Sequence, residues 1–182
     1  MIKFDTRDQL IETLPKDMIV CEIGVFKGEF SEKLLRNTNP KELHLIDLFE
    51  GIVPSGDKDG NNMIYANLYD EYTILNEKYS NNPTIRIHRG DSCDILNNFE
   101  DNYFDMIYID GDHSYEGVSK DLEVSYNKVK SGGYICGHDY TSERFPGVVR
   151  AVDEFKEKNN YKLHSLTEDG CPSFCIKNDK KI

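Results

Sequence analysis

The stretch that most restricts what this chain can fold into is Met18–Leu35, MIVCEIGVFKGEFSEKLL. Met18–Ile23 is apolar and rich in β-branched residues, so a buried strand is expected there. It runs through Glu22-Ile23-Gly24 into Val25-Phe26-Lys27 and Gly28. The residues that follow place Phe30, Leu34 and Leu35 on one helical face. Glycine allows a tight turn and lets a ligand approach the backbone closely. The first turn of a helix offers unpaired N–H groups to a negative group. A strand, turn and helix of this kind suits a small polar ligand held at a strand end.

The remaining chain repeats the alternation. Asp5–Leu14 carries Leu10, Ile11 and Leu14 at helical spacing and stops at Pro15, predicting an outlying helix that covers the sheet or the ligand. Strands are expected over Glu42–Leu48, Thr84–His88, Phe104–Asp110 and Tyr134–Cys136. Helices are expected on the Leu68/Tyr72/Leu75/Tyr79 face, on a short segment ending at Leu96, over Tyr115–Val129, and after Pro146 on Val148, Val149, Val152 and Phe155. Two late strands, Tyr161–Leu166 and Ser173–Lys177, flank Gly170-Cys171-Pro172 and read as an antiparallel hairpin. The segment 49–68 is rich in Gly, Pro, Asp and Asn in its first half and is expected to be a long loop, a lid or acceptor-binding segment. Ser131-Gly132-Gly133 reads as a turn.

Strands alternating with helices mean a parallel sheet covered on both faces, and 182 residues fit one domain spanning 1–182. In such sheets ligands bind beyond the carboxyl ends of the strands, where strand order switches. The polar residues cluster at those ends: Glu22 and Gly24, Asp47, Asp91 and Ser92, Asp110 and Asp112, His138 and Asp139. Folding alone does not require this.

Charge narrows the partners. Lys+Arg total 22 against 33 Asp+Glu, a formal net charge of −11. That argues against nonspecific binding to nucleic acid or an anionic membrane, which needs basic surface. No apolar run approaches the roughly 20 residues of a membrane helix, and MIKFDTRDQL lacks a secretory apolar core, so a cytoplasmic protein is expected. The five cysteines are odd in number and scattered, which suits reduced thiols. Cys171 and Cys175 alone do not close a metal site.

Asp47 stands 23 residues after Gly24, at the end of the next strand, where a dinucleotide-type fold places an acid on ribose hydroxyls. The glycine turn, however, reads E-x-G-x-x-x-G, with an acid in place of the first glycine. An acid there repels a pyrophosphate and can meet an ammonium. This points away from NAD and towards a nucleoside with a cationic amino-acid part.

EIGVFKGEFSEKLL, HLIDLFEG, RGDSCDIL and FDMIYIDGDHSYEGVSKDLEVSYNKVKSGGYICGHDY together resemble class I S-adenosylmethionine-dependent methyltransferases. The IDGDHSYEG…GG…HD spacing is similar to small O-methyltransferases related to macrolide and aminocoumarin sugar-modifying enzymes. The resemblance implies a Rossmann-like, doubly wound, mostly parallel seven-stranded α/β sheet with a C-terminal antiparallel hairpin. It implies that Glu22, Gly24 and Gly28 line the methionine part of the cofactor. Asp47 would take the ribose hydroxyls, with Leu48 and Phe49 beside the adenine or ribose, and Asp91 would meet the adenine amino group with Ser92 adjacent. Asp91-Ser92 is equally a helix cap. Asp110 would border the cofactor and, with His138 and Asp139, match the divalent-metal ligands of metal-dependent O-methyltransferases. His138 departs from the carboxylate usual in those relatives and favours Mn²⁺, Fe²⁺ or Zn²⁺ over Mg²⁺. The residues could instead hold the turn's shape by hydrogen bonds. Asp112 or His113 would be the base that takes the acceptor's proton, or His113 would hydrogen-bond a carboxylate.

The expected activity is methyl transfer to a hydroxyl of a sugar or small natural product, metal-assisted or not. A metal-dependent hydrolase or hydroxylase-like enzyme is the rival, and a catalytically silent cofactor-binding module is the non-enzyme alternative. Relatives of the fold often form homodimers, although this chain shows no decisive interface stripe.

Overall fold

The computed structural model describes residues 1–54 and 63–180. Its elements are β1 (Ile2–Phe4), α1 (Arg7–Glu12), β2 (Ile19–Ile23), α2 (Glu29–Thr38), β3 (Glu42–Asp47), β4 (Glu50–Pro54), β5 (Met63–Asn67), α3 (Tyr69–Tyr79), β6 (Ile85–Arg89), α4 (Ser92–Leu96), β7 (Phe104–Ile109), α5 (Tyr115–Lys128), β8 (Val129–Gly137), α6 (Pro146–Asn159), β9 (Leu163–Thr167) and β10 (Phe174–Lys177). The main sheet has the order β1-β9-β10-β8-β7-β2-β3-β6. β6, β3, β2, β7 and β8 run parallel, whereas β10 is antiparallel to both β8 and β9.

Alternation along the strands sorts side chains into two cores. Val20, Leu43, Leu45, Met106 and Tyr108 face α1, α2 and α3, where they meet Leu10, Ile11, Phe30, Leu34 and Leu75. Cys21, Ile23, Ile46, Ile107, Ile109 and Ile135 face the other way, onto Leu96 of α4, Leu122 of α5 and Val152 and Phe155 of α6. Each fully buried aliphatic or aromatic side chain contributes roughly 1.5–3 kcal/mol, so both helical layers are needed. Side-chain caps start three of the helices: Thr6 for α1, Asp91 for α4 and Ser114 for α5. Pro146 opens α6.

Three sequence expectations need correction. The sheet has eight strands among the described residues, not seven, because Ile2-Lys3-Phe4 adds in parallel to β9 with Ile2 opposite Ser165. The Ser131-Gly132-Gly133 turn is part of a nine-residue β8. Gly132 has φ +83, and Asn178 holds this kink by accepting from the Gly132 N–H (2.8 Å), donating to the Gly133 carbonyl (2.8 Å) and donating through its side chain to the Val129 carbonyl (2.9 Å). The 49–68 segment carries a hairpin, with Glu50 opposite Asn67 and Pro54 opposite Met63 in a separate two-stranded sheet. Residues 55–62, the centre of the expected lid, lie outside the described residues.

The chain leaves β2 for β3 and β6 and then returns to β7 on the other side of β2. The switch point therefore lies between β2 and β7. Gly24 and Asp110 meet there: the Asp110 N–H donates to the Ile23 carbonyl at 2.8 Å.

Candidate active site

At the switch point Gly24 has φ +85, and a Cβ on it would lie 2.1 Å from the Asp110 carbonyl oxygen. Only glycine fits this approach. Gly28 is the left-handed N-cap of α2, and a Cβ there would press on the Leu75 side chain at 2.7 Å. Its role in the structure is to let α2 and α3 pack.

Glu22, next to the end of β2, is 1% exposed and accepts a hydrogen bond from the Ser31 hydroxyl on the first turns of α2. Burial pushes its carboxyl up to about 8, against the Ser31 hydrogen bond and with help from Asp110. Asp47, at the end of β3, ties down the glycine turn. Its Oδ2 accepts from the Val25 N–H (2.7 Å) and the Phe26 N–H (2.8 Å), and its Oδ1 from the Phe49 N–H (2.6 Å). Leu48 is 48% exposed, while Phe49 is fully buried against Tyr72, with ring centroids 5.2 Å apart. Leu48 thus presents apolar surface beside the crevice and Phe49 supports it from below.

Asp91 caps α4 by accepting from the Asp94 N–H at 3.1 Å. The Ser92 hydroxyl donates to Asp121 Oδ1 on α5 at 2.5 Å. Burial raises the Asp121 carboxyl to about 6, against this hydrogen bond. The capping role expected for the Asp91-Ser92 pair is present.

The ends of β7 and β8 bring Asp110, His113, His138 and Asp139 together. His113 Nε2 lies 2.6 Å from Asp139 Oδ2 and 3.7 Å from Asp110 Oδ1. His138 Nδ1 lies 3.3 Å from Asp139 Oδ2 and 3.6 Å from Asp110 Oδ1. Hydrogen bonds to Asp110 and Asp139 raise His113 to about 9. Burial opposes the same effect at His138, yet the two carboxylates still lift it to about 9. Burial works to raise the Asp139 carboxyl, but the imidazoles outweigh it and hold Asp139 well below the usual range. Asp139 has φ +59, a left-handed backbone uncommon outside glycine, at the centre of this group.

Asp110, His113 and Asp139 each present a ligand atom, and these atoms lie within 4.8 Å of one another. Two carboxylates and an imidazole converging in this way fit a divalent transition ion. The expected ligand set held His138 in place of His113. His138 Nδ1 is itself 3.3 Å from Asp139 and 3.6 Å from Asp110, so both imidazoles face the two carboxylates, and His113, expected as a base, joins the group. Asp112 turns towards α5, where its carboxylate accepts from the Ser114 N–H (2.8 Å) and hydroxyl (2.9 Å). It stays exposed.

Several residues here lie outside the site expected from the sequence, which weighs Cys171 only as a pair with Cys175. Arg7 of α1 reaches Asp110 Oδ2 at 3.3 Å. Ser31 partners Glu22, and Phe26 stands 44% exposed at φ +51 in the glycine turn. Cys171 approaches Asp139 and takes a 3.2 Å contact from Arg144. Periodicity reports which face of a helix is buried but not how far a long side chain reaches, and nothing in the sequence placed these four. Cys175 is buried opposite Cys136 across β10 and β8, so Cys171 and Cys175 serve different surroundings.

A family model described as a methyltransferase domain matches residues 21–140, more than half of the chain and every strand end described above. An uncharacterised protein, R132, of Acanthamoeba polyphaga mimivirus is 29% identical over 177 residues, covering 93% of this chain and 75% of that protein. Among solved structures, M. capricolum TrmK in complex with S-adenosylhomocysteine superposes with a TM-score of 0.64 at 15% identity, covering 97% of this chain and 70% of that one. A Staphylococcus aureus protein assigned as a caffeoyl-CoA O-methyltransferase gives a TM-score of 0.62 at 17% identity, covering 93% and 80%. At such identities the two structures speak to the fold alone, and it is the match over residues 21–140 that shows the chain to belong to the methyltransferase-domain family.

Proposed function

We propose that this protein transfers a methyl group from S-adenosylmethionine to a hydroxyl of a sugar or other small natural product, assisted by a divalent metal ion. The observation that carries the reading is the set of residues gathered at the switch point between β2 and β7. There Gly24 and Asp110 meet, Glu22 and Asp47 stand on one side, and the Asp110/His113/Asp139 group stands on the other. Membership of the methyltransferase-domain family supports the donor. The IDGDHSYEG resemblance supports the hydroxyl acceptor.

S-Adenosylmethionine supplies a methyl group activated by its sulfonium, so the C–S bond breaks as the O–C bond forms and S-adenosylhomocysteine is released. The protein's part is alignment and removal of the acceptor's proton. Asp47 stiffens the glycine turn on which the nucleoside rests, and Leu48 offers an apolar contact. Asp110, His113 and Asp139 would hold the ion, which lowers the pKa of a bound hydroxyl. With His113 engaged in this way, Asp112 is the base. It is exposed on the same turn, and its carboxylate keeps lone pairs beyond those used by Ser114.

The test is calorimetric titration of the metal-free protein with S-adenosylhomocysteine and with Mn²⁺, followed by turnover on a panel of sugar and phenolic acceptors. Asp47→Ala is expected to weaken S-adenosylhomocysteine about tenfold or more. His113→Asn and Asp139→Asn are expected to abolish the Mn²⁺ heat. Asp112→Asn should leave that heat unchanged and lower turnover roughly 10²-fold or more. Metal binding without any nucleoside binding would overturn the reading in favour of a hydrolase-like enzyme.

A further inference from the structure

We infer that Arg7 anchors the carboxylate at the amino-acid end of the methyl donor, so that the N-terminal helix forms part of the cofactor site. The inference rests on the methyltransferase reading and extends it to a residue outside the matched 21–140 segment.

Arg7 is the first residue of α1, yet its side chain runs inward and is 25% exposed. Its guanidinium carbon lies 4.2 Å from the centre of the Phe30 ring. Phe30 in turn packs on Tyr108, with ring centroids 4.3 Å apart, and the Tyr108 hydroxyl pairs with Ser173 at 2.8 Å. Arg7 is thus laid on a fixed aromatic stack, which orients a planar guanidinium and limits the freedom it would lose on binding. It lies beside the Tyr108 hydroxyl and 3.3 Å from Asp110 Oδ2. Glu22 and Tyr108 are register partners on neighbouring strands, and Arg7 is close enough to Glu22 to favour its charged form. The guanidinium therefore stands beside Glu22, Tyr108 and Asp110, at the ends of β2 and β7.

Asp47 and Asp110 border these strand ends, with the buried, proton-holding Glu22 beside them. Their carboxylates suit the ammonium of an α-amino acid but repel its carboxylate, which needs a cation close by. A guanidinium presents five N–H donors in a flat fork matched to a carboxylate. The 3.3 Å contact to Asp110 and the approach to the Tyr108 hydroxyl use part of that fork and leave donors for a second carboxylate. Lys27, the cation of the glycine turn itself, is exposed, with its ammonium 5.4 Å from the centre of the Phe26 ring. It is the natural comparison.

The experiment is titration calorimetry on the full chain with three ligands. S-Adenosylhomocysteine has both charged groups, decarboxylated S-adenosylhomocysteine keeps the ammonium without the carboxylate, and 5′-methylthioadenosine has neither. Arg7→Met keeps an apolar stem over Phe30. It is expected to weaken S-adenosylhomocysteine roughly tenfold or more while leaving methylthioadenosine within about twofold. Arg7→Lys is expected to recover part of the loss, and Lys27→Ala to change neither ligand. Wild-type protein should bind the decarboxylated compound more weakly than S-adenosylhomocysteine, a preference that vanishes in Arg7→Met. This wild-type comparison stands even if the variant does not fold. Equal loss for all three ligands, no loss for any, or a selective loss in Lys27→Ala would overturn the assignment. Failure of the wild type to bind any of the three would remove the methyltransferase reading itself, and the anchor with it.

Discussion

Glu22 is a carboxyl with almost no access to water, and among the described residues its hydrogen-bond donor is a serine hydroxyl. In the unfolded chain it loses its proton near 4.5, whereas in the folded chain it keeps it up to about 8. Between these values the folded state binds more protons than the unfolded one, so stability falls as pH rises. The contribution is fully present below the ordinary carboxylate value and is lost as pH climbs to about 8. Urea unfolding at several pH values should show wild-type stability declining more steeply than that of Glu22→Gln from pH 5 to 8. The difference should approach but not exceed about 1.4 kcal/mol per pH unit. Parallel curves would mean that Glu22 is charged in the folded protein. Gly24 sets a different limit, because a methyl group there meets backbone rather than a side chain able to move. Gly24→Ala is expected to cost about 2 kcal/mol or more and to abolish nucleoside binding, as read by denaturant unfolding and calorimetry. The sequence made Glu22, Gly24, Asp110 and Asp139 visible because they sit at strand ends, where the fold dictates position. It did not separate His113 from His138, because the direction of a side chain on the turn after β7 depends on how Asp139 and Phe145 pack around it.

At the scale of elements, the strands buried on both faces were legible, since apolar residues dominate β2 and β7 and recur at Leu43, Leu45 and Ile46 of β3. The peripheral ones were not. β1 is three residues long and gains its identity only by pairing with β9, far away in sequence. The kink in β8 exists because Asn178, more than forty residues on, satisfies the backbone that Gly132 distorts. The 49–68 segment was read as loop from its turn-forming first half, yet Ile52-Val53 and Met63-Ile64-Tyr65 are β-formers that pair across it. That hairpin forms a sheet of its own, and neither strand adds to the main sheet. Replacing residues 52–65 with a short Gly-Ser linker should therefore leave the thermal midpoint within a few degrees and S-adenosylhomocysteine affinity within about threefold. Turnover on the preferred acceptor is expected to be lost. A collapse of cofactor binding on the same replacement would place the hairpin in the nucleoside site and not over the acceptor.

For the whole molecule, the topology gathers the candidate site residues at the carboxyl ends of the central strands, and the charge distribution bears on what can approach them. The formal charge is −11, and many of the cations are already matched. Lys3 pairs with Glu168, Lys33 with Asp8, Lys78 with Glu32, Lys158 with Glu123 and Arg150 with Glu154. At the crevice Arg7, His113 and His138 all face Asp110 or Asp139. These cations are held as local counter-charges. No helix of the described residues is long and apolar enough to cross a membrane. A small acceptor that enters the crevice meets individual charged groups at hydrogen-bond distance, where the net charge matters less than the local geometry. A polyanion meets the whole field. The chain is accordingly expected to leave transfer RNA and duplex DNA unshifted in native gels at roughly 0.1 M salt, even at protein concentrations near 100 µM, where nonspecific binders with dissociation constants of about 10⁻⁴ to 10⁻⁶ M already retard them. A shifted band that fades with added salt would show a basic face that these ion pairs do not supply. It would also move the acceptor from a small molecule to a nucleic acid.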